Sequence, residues 1–261
     1  MKANLTCLLT ATALIAAGTV MAETIQLNEL SDWAPNRNLV KKDGMLIVKK
    51  QTLLISAKTF DIDPGKNYTI KLSAKGCMEK SKICFGFTIL DKNGQTISPS
   101  HVLVVPGSET FLTSDAKKGD RKLKVKDASK WKRLGHIYIC KDIQPDFADL
   151  PNRKFLAHGI EKLEKKDNEW EVTLSRVILE DTKSGNKLRC HLGGGYLNTG
   201  GEKELVDKWE TLEGSIRGIS KSGWRGDIWP VGTAKARVII LPNRNIKNGE
   251  TELKDISITI E

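Results

Sequence analysis

Apolar and polar residues alternate along most of the chain, as they do in half-buried strands. The alternation is clear at 67–74 and again at 251–260. Segments 83–90 and 234–241 predict two further strands, and the Asp-Pro-Gly-Lys sequence at 63–66 predicts a turn. Predicted strands recur about every 8–12 residues, which is typical of a β-sandwich or barrel.

The middle of the chain, 113–199, predicts a small β unit of its own, inserted between two halves of a larger sandwich. We therefore expect an all-β fold in which 23–112 and 200–261 form the sandwich and 113–199 forms an inserted β subdomain. The segment 156–166 is the best candidate for a helix, because its apolar residues come closest to helical spacing.

Residues 1–22 predict a secretory signal peptide. Lys2 supplies the positive start, 5–17 the apolar run, and Ala22 ends a small-residue cleavage site. No later apolar run is long enough to span a bilayer, so we expect no membrane insertion. The expected product is an exported protein, periplasmic or extracellular, of about 239 residues (261 less the first 22).

Composition narrows the possible partners. The chain is 39% hydrophobic and 28% charged, which excludes a disordered or membrane-embedded chain. The net charge of +10 would suit nucleic acid, an anionic surface or an acidic polysaccharide, although a solvated lysine-rich face explains it as well. The sequence has no zinc-finger spacing or RNA-binding aromatic motif, so we do not expect nucleic acid.

Four cysteines remain after the predicted cleavage: Cys77, Cys84, Cys140 and Cys190. An even number in an exported chain predicts disulfides. Cys77 and Cys84 enclose a short loop that a disulfide could close, which would leave Cys140 and Cys190 to close a long one. The sequence leaves all three pairings open, with free buried thiols as the alternative.

Several segments resemble the galactose-binding-like jelly-roll carbohydrate-binding modules. In the first half these are 60–69 (FDIDPGKNYT) and 85–94 (FGFTILDKNG), where a proline-glycine turn leads into a strand and a later strand ends in an Asp-x-x-Gly turn. In the second half Trp209 opens a strand, and 253–258 (LKDISI) closes the fold. The resemblance covers 27–111 and 203–261 and implies a jelly-roll β-sandwich that binds glycans.

Glycan binding needs flat aromatic faces and a few fixed polar groups. Trp224 and Trp229 lie in a glycine-flanked loop, with Arg225 and Asp227 between them, and Trp33 lies in a second loop. Loops on rigid β scaffolds often carry binding residues. We therefore predict these five residues as the ligand site. Tryptophans within alternating segments are instead expected to pack in the core. They are Trp131, Trp170 and Trp209.

A catalytic alternative comes from Arg189, His191 and Tyr196. Arg189 and His191 share one strand face, and Tyr196 follows a glycine run. A polysaccharide lyase would use the arginine to neutralise a uronic carboxylate, and the histidine or tyrosine to move protons. A strand followed by a loop accounts for the same residues.

The resemblance also implies a structural calcium ion, because a carboxylate in the last strand of such modules can ligate it, and Asp255 matches that place. No other cofactor is expected. The predicted function is exported, non-catalytic carbohydrate binding. The alternatives are a lyase acting on an acidic glycan and a structural or adhesive surface module.

Overall fold

The computed structural model describes residues 22–77, 80–221 and 227–261. Apart from Ala22, the predicted signal peptide lies outside these ranges. Most of the regular structure is β-strand, which confirms the all-β class. The strands before the short helix α1 (Pro99–Val102) are β1 (Glu23–Gln26), β2 (Leu39–Lys42), β3 (Met45–Lys49), β4 (Leu54–Ile55), β5 (Phe60–Asp61), β6 (Asn67–Gly76), β7 (Ser81–Leu90) and β8 (Thr96–Ile97).

Later strands fall into two groups. The middle of the chain forms β9 (Thr110–Phe111), β10 (Lys122–Val125), β11 (Ile137–Lys141), β12 (Phe155–His158), β13 (Ile160–Lys166), β14 (Glu169–Leu174) and β15 (Lys187–Leu192). The C-terminal part forms β16 (Leu197–Leu205), β17 (Glu210–Arg217), β18 (Lys235–Leu241) and β19 (Glu250–Ile260).

Two six-stranded antiparallel sheets make up the sandwich. The first sheet has the order β17-β6-β19-β3-β2, with β1 beside β19. The second has the order β16-β7-β18-β4, with β5 beside β18 and β8 beside β7. Alternate residues of both sheets point into one shared core, including Ile70 and Leu72 of β6 and Phe85 and Phe87 of β7. The period-two pattern of the sequence therefore decides which residues face this core.

The middle of the chain forms two smaller sheets, β10-β14-β13 and β12-β11-β15-β9, around a second core. The sandwich core ends at Val102 and resumes at Leu197, whereas the second core runs from Val105 to Cys190. The strands around this second core are called the inserted unit below. Its status as a separate domain with the bounds 113–199 remains a prediction.

The two units touch where the chain crosses between them. Arg153 of the inserted unit donates to Asp91 of the sandwich over 2.9 Å and to the Thr96 carbonyl over 3.2 Å. Nearby, Gly232 has a φ of +84°, and a Cβ there would lie 2.8 Å from the Pro151 ring. This close approach requires glycine.

The helix expected at 156–166 is not formed. The segment is divided between β12 and β13, and Gly159 between them has a φ of +75°. That left-handed conformation breaks a helix at its fourth residue. Strand pairing with β11 and β14 then satisfies the backbone on either side.

Candidate functional site

The predicted loop site is described only in part. Trp224 and Arg225 lie outside the described residues. Asp227 is exposed, and its carbonyl accepts a hydrogen bond from the Arg217 amide at the end of β17, over 3.2 Å. Asp227 therefore lies beside the first sheet.

The prediction that Trp229 faces solvent is wrong. Its side chain is 0% exposed and packs in the sandwich core, with ring centroids 5.4 Å from Tyr68 and 4.8 Å from Phe87. Burial of the indole is favourable because removing a large apolar ring from water lowers the free energy of the folded state. Trp229 closes the core and offers no ring face to a ligand.

Trp33 is corrected in the same way. It is 3% exposed, belongs to the sandwich core, and pairs with Ser56 in an isolated β-bridge. Its indole nitrogen donates to the Leu27 carbonyl over 3.2 Å. A buried indole with a satisfied N–H is a structural residue.

Arg189 and His191 do lie together, on the face of β15 that points away from the second core. Arg189 is 0% exposed, and its Nε donates to Nε2 of His191 over 3.1 Å. A terminal nitrogen of Arg189 pairs with the Asp149 carboxylate at 2.6 Å, and the guanidinium lies 4.9 Å from the centroid of the Phe147 ring. The arginine is therefore enclosed by partners from its own chain.

His191 has no free ring nitrogen. Because Nε2 accepts from Arg189, the proton lies on Nδ1, which donates to the Ser100 carbonyl over 2.8 Å. Burial, together with the charge of Arg189, lowers the pKa of His191 to about 4. The imidazole is held neutral between two protein partners, so it cannot take a proton from a substrate.

Tyr196 lies elsewhere. Its side chain is half-buried, burial raises the pKa of its hydroxyl, and the ionisable groups near it are Cys84 and Arg244. Those groups belong to the second sheet and its following turn, not to the Arg189 cluster. The expected convergence of arginine, histidine and tyrosine around one cleft is therefore not observed.

A surface pocket of about 480 Å³ opens beside the buried Arg189 cluster. Its carboxylates are already engaged. Asp142 accepts from Asn186 over 2.7 Å and from Lys154 over 3.0 Å, while Asp149 pairs with Arg189. This pocket presents hydrogen-bonded structural groups and no unoccupied base.

The predicted disulfides are not formed, since no two cysteines of the described chain lie at bonding distance. On neighbouring strands β11 and β15, Cys140 lies opposite Arg189 and Cys190 opposite Ile139. Directly paired residues share a face, so the two thiols point to opposite faces of their sheet. Cys190 packs in the second core, and burial raises its pKa.

The other expected pair is divided between the two sheets of the sandwich, because β6 belongs to the first sheet and β7 to the second. Cys77 is exposed just beyond the end of β6, whereas Cys84 is buried within β7. Arg244 donates to the Cys84 sulfur over 3.6 Å. All four described cysteines are free thiols. Three of them are buried, as the alternative interpretation held, whereas Cys77 is exposed.

Asp255 occupies a β-bulge in β19. The register with β6 shifts between Lys254 and Ser257, and Asp255 has a φ of +51°. A non-glycine residue in the left-handed region costs about 1–3 kcal/mol and is enriched at functional positions. Asn28 stabilises the bulge by accepting from the Ile256 amide over 2.8 Å.

No cluster of three or more histidine, cysteine or acidic side chains fit for a metal occurs among the described residues, so Asp255 has no such companion ligands. Calcium binding remains a prediction. The carboxylate instead accepts a hydrogen bond from the Ser73 hydroxyl over 3.2 Å.

Asp255 belongs to an exposed, hydroxyl-rich surface of the first sheet, which we call the polar face. Its members are the outward-pointing residues of three adjacent strands: Asn67, Thr69, Lys71 and Ser73 of β6; Thr211, Glu213, Ser215 and Arg217 of β17; and Lys254, Asp255, Ser257 and Thr259 of β19. Several hydroxyls bond across strands, for example Thr69 with Ser215 at 2.8 Å.

Trp209 lies at one end of the polar face. Its ring is half-buried and belongs to neither core, and Nζ of Lys254 lies 4.4 Å from the ring centroid. Trp131, by contrast, is 5% exposed in the second core, which confirms the core role expected for it. Trp170 is partly buried and packs against that core.

The alternation of residues in the sequence already indicates that Trp209 points outward, although we expected it to pack in the core. In the alternating segment, Leu212 and Ile216 face the core, so Trp209 shares its parity with Thr211 and Glu213 and points outward. No sequence signal marks Asp149, which reaches Arg189 from 40 residues away through a loop.

No helix in the described part of the chain is long and apolar enough to cross a membrane. In the comparisons with known proteins, no protein-family model, no curated protein and no solved structure matches this chain.

Proposed function

We propose that this chain is an exported, non-catalytic glycan-binding protein and that its polar face carries the binding site. The observation that carries the proposal is the position of Trp209. It is a half-buried indole at the edge of an exposed sheet, beside Lys254 and close to the strained Asp255.

The chemistry of this face suits a sugar. A pyranose ring has one apolar C–H surface that packs on an indole, and hydroxyls that need donors and acceptors. One oxygen of Asp255 accepts from Ser73, and the other has no hydrogen-bond partner among the described residues. The cross-strand hydroxyls add groups that both donate and accept.

The polar face is long enough for several sugar units. Trp209 and Arg217 are separated by about 26 Å along β17, at about 3.3 Å per residue. The Arg217 amide also donates to the Asp227 carbonyl. The proposed site therefore runs along β17 from Trp209 to the position of Asp227. A sandwich of antiparallel sheets is compatible with a galactose-binding-like module, and membership of that family is part of the proposal.

A glycan array probed with the mature protein tests the proposal, followed by titration calorimetry with the best-bound glycan. Trp209→Ala should weaken binding about 30-fold, which corresponds to about 2 kcal/mol for a central aromatic contact. Trp209→Phe retains a flat ring and should restore most of the affinity. Leu179→Ala, which removes a 47% exposed apolar side chain from the inserted unit, serves as the matched control and should bind normally.

Two results would contradict the proposal. Absence of binding to every glycan would leave a structural or adhesive surface module as the better interpretation. Equal affinities for Trp209→Ala and Leu179→Ala would show that glycans bind elsewhere.

A further inference from the structure

The inserted unit carries exposed cations on the segment between β10 and β11, and β13 adds another beside them. We call these residues the cationic patch: Lys130, Lys132, Arg133 and Lys165. Arg133 is anchored by its Nε, which donates to the Glu161 carbonyl over 2.7 Å. The one acidic residue within 126–133 is Asp127. Hydrogen bonds from Ser129, and then the charges of Lys165 and Lys130, hold the pKa of Asp127 below its usual value. Lys130, on the connection between β10 and β11, and Lys165, within β13, therefore both lie near Asp127.

The segment that carries the patch is held in place from beneath. Trp131 is 5% exposed, and its indole nitrogen donates to the Ser108 carbonyl over 2.9 Å. Ala128 is 1% exposed, and the Lys126 amide donates to the Phe111 carbonyl over 3.0 Å. Burial of Ala128 and Trp131 leaves the charged side chains beside them in solvent, so the backbone that carries the patch is ordered before any partner arrives.

The patch differs from the neighbouring lysines in lacking acidic partners. On the outer face of the β10-β14-β13 sheet, lysines are matched by glutamates. These pairs are Lys122 with Glu171 at 2.9 Å, Lys124 with Glu169 at 2.7 Å, Lys162 with Glu164 at 2.9 Å, and Lys166 with Glu164 at 3.9 Å. No patch residue forms an ion pair with any residue that the structure describes. Asp127 is occupied by Ser129, whose amide and hydroxyl both donate to it.

We infer that the cationic patch binds an acidic glycan, that is, a polysaccharide with carboxylate or sulfate groups repeated along its chain. The inference rests on the proposed function and adds to the polar face a second binding surface, on the inserted unit, with a stated ligand class. Clustered cations without counterions attract a polymer of the opposite charge and raise its association rate. Nucleic acid fits less well, because binding to its bases uses exposed aromatic rings and Trp131, within the patch, is buried.

Two charge-matched variants test the inference. The patch variant is K130Q/K132Q/R133Q/K165Q, and the control is K122Q/K124Q/K162Q/K166Q, which removes four positive charges from the paired lysines of the same unit. Circular dichroism and thermal melting establish that both fold. Binding of each protein to heparin, polygalacturonate, dextran and double-stranded DNA is measured by calorimetry at about 0.05 M and about 0.3 M salt.

The patch variant should bind heparin or polygalacturonate about tenfold or more weakly and lose most of its salt dependence. The control should change less than about threefold, since exposed ion pairs contribute little. Comparison of the two polymers distinguishes sulfate from carboxylate recognition.

Three results would overturn the inference. Equal losses in the two variants would mean attraction by overall charge, and DNA binding as tight as glycan binding would mean a different class of polymer. If Trp209→Ala abolishes binding to an acidic glycan while the patch variant binds normally, the patch inference fails and the proposed function stands. If no glycan binds the unmodified protein, the proposed function fails as well.

Discussion

Acidification should destabilise the protein through His191. The imidazole is buried and neutral, and it accepts from Arg189 while donating to Ser100. Protonation would place a second positive charge 3.1 Å from Arg189 and remove the acceptor of its Nε. The nearest compensating charge, Asp149, is already paired with Arg189.

The size of the effect follows from the pKa of His191, which is about 4 in the folded protein against an ordinary value of 6.5. Between these values the unfolded state binds a proton that the folded state does not, so stability rises with pH across this window. At about 1.4 kcal/mol per pH unit, the gap corresponds to about 3 kcal/mol lost on going from pH 7 to pH 4. His101, whose pKa burial also lowers to about 4, acts in the same direction.

Urea unfolding followed by tryptophan fluorescence at a series of pH values measures this slope. His191→Gln removes the titrating ring while its amide oxygen can still accept from Arg189, so its free energy of unfolding should fall less between pH 6.5 and 4. His136→Gln replaces an exposed histidine and should retain the slope of the unmodified protein. The reasoning is refuted if unfolding shows no pH dependence in this window, or if His191→Gln retains the full slope.

Two further predictions concern the inserted unit and the thiols. Asp149→Asn should cost about 3–5 kcal/mol in urea unfolding, because it leaves a buried Arg189 without its counter-charge. Glu161→Gln breaks the exposed ion pair between Glu161 and Arg121 and should cost less than about 1 kcal/mol. Equal losses of stability in Asp149→Asn and Glu161→Gln would disprove a role for burial. Iodoacetamide should label Cys77 in the folded protein and the three buried cysteines only after unfolding, as read by mass spectrometry. A disulfide between any two of them would contradict the structure.

The fold class could be predicted from the sequence because the strand period is local. Alternation at 67–74 corresponds to β6 and that at 251–260 to β19, and their hydrophobic positions do face the core. The helix expected at 156–166 failed because one glycine with a positive φ outweighs apolar spacing. Local patterns therefore predicted strands correctly at β6 and β19, and they failed at 156–166, where a glycine with a positive φ interrupts the segment.

The candidate sites were harder to predict because they depend on which strands become neighbours. The face shared by Arg189 and His191 was correctly expected, yet sequence does not show that Asp149 and Ser100 close over it. Likewise, loop position alone did not indicate that Trp229 would be 0% exposed. Burial of a loop residue is decided by the gap that the two sheets leave, which is a property of the assembled fold.

The most direct test of glycan binding on the polar face follows the indole N–H signals of the ¹⁵N-labelled protein by NMR during titration with its best-bound glycan. The account predicts that the Trp209 signal, assigned with Trp209→Phe, shifts with glycan concentration while the buried Trp33 and Trp229 signals stay in place. A glycan that binds without moving the Trp209 signal would contradict it.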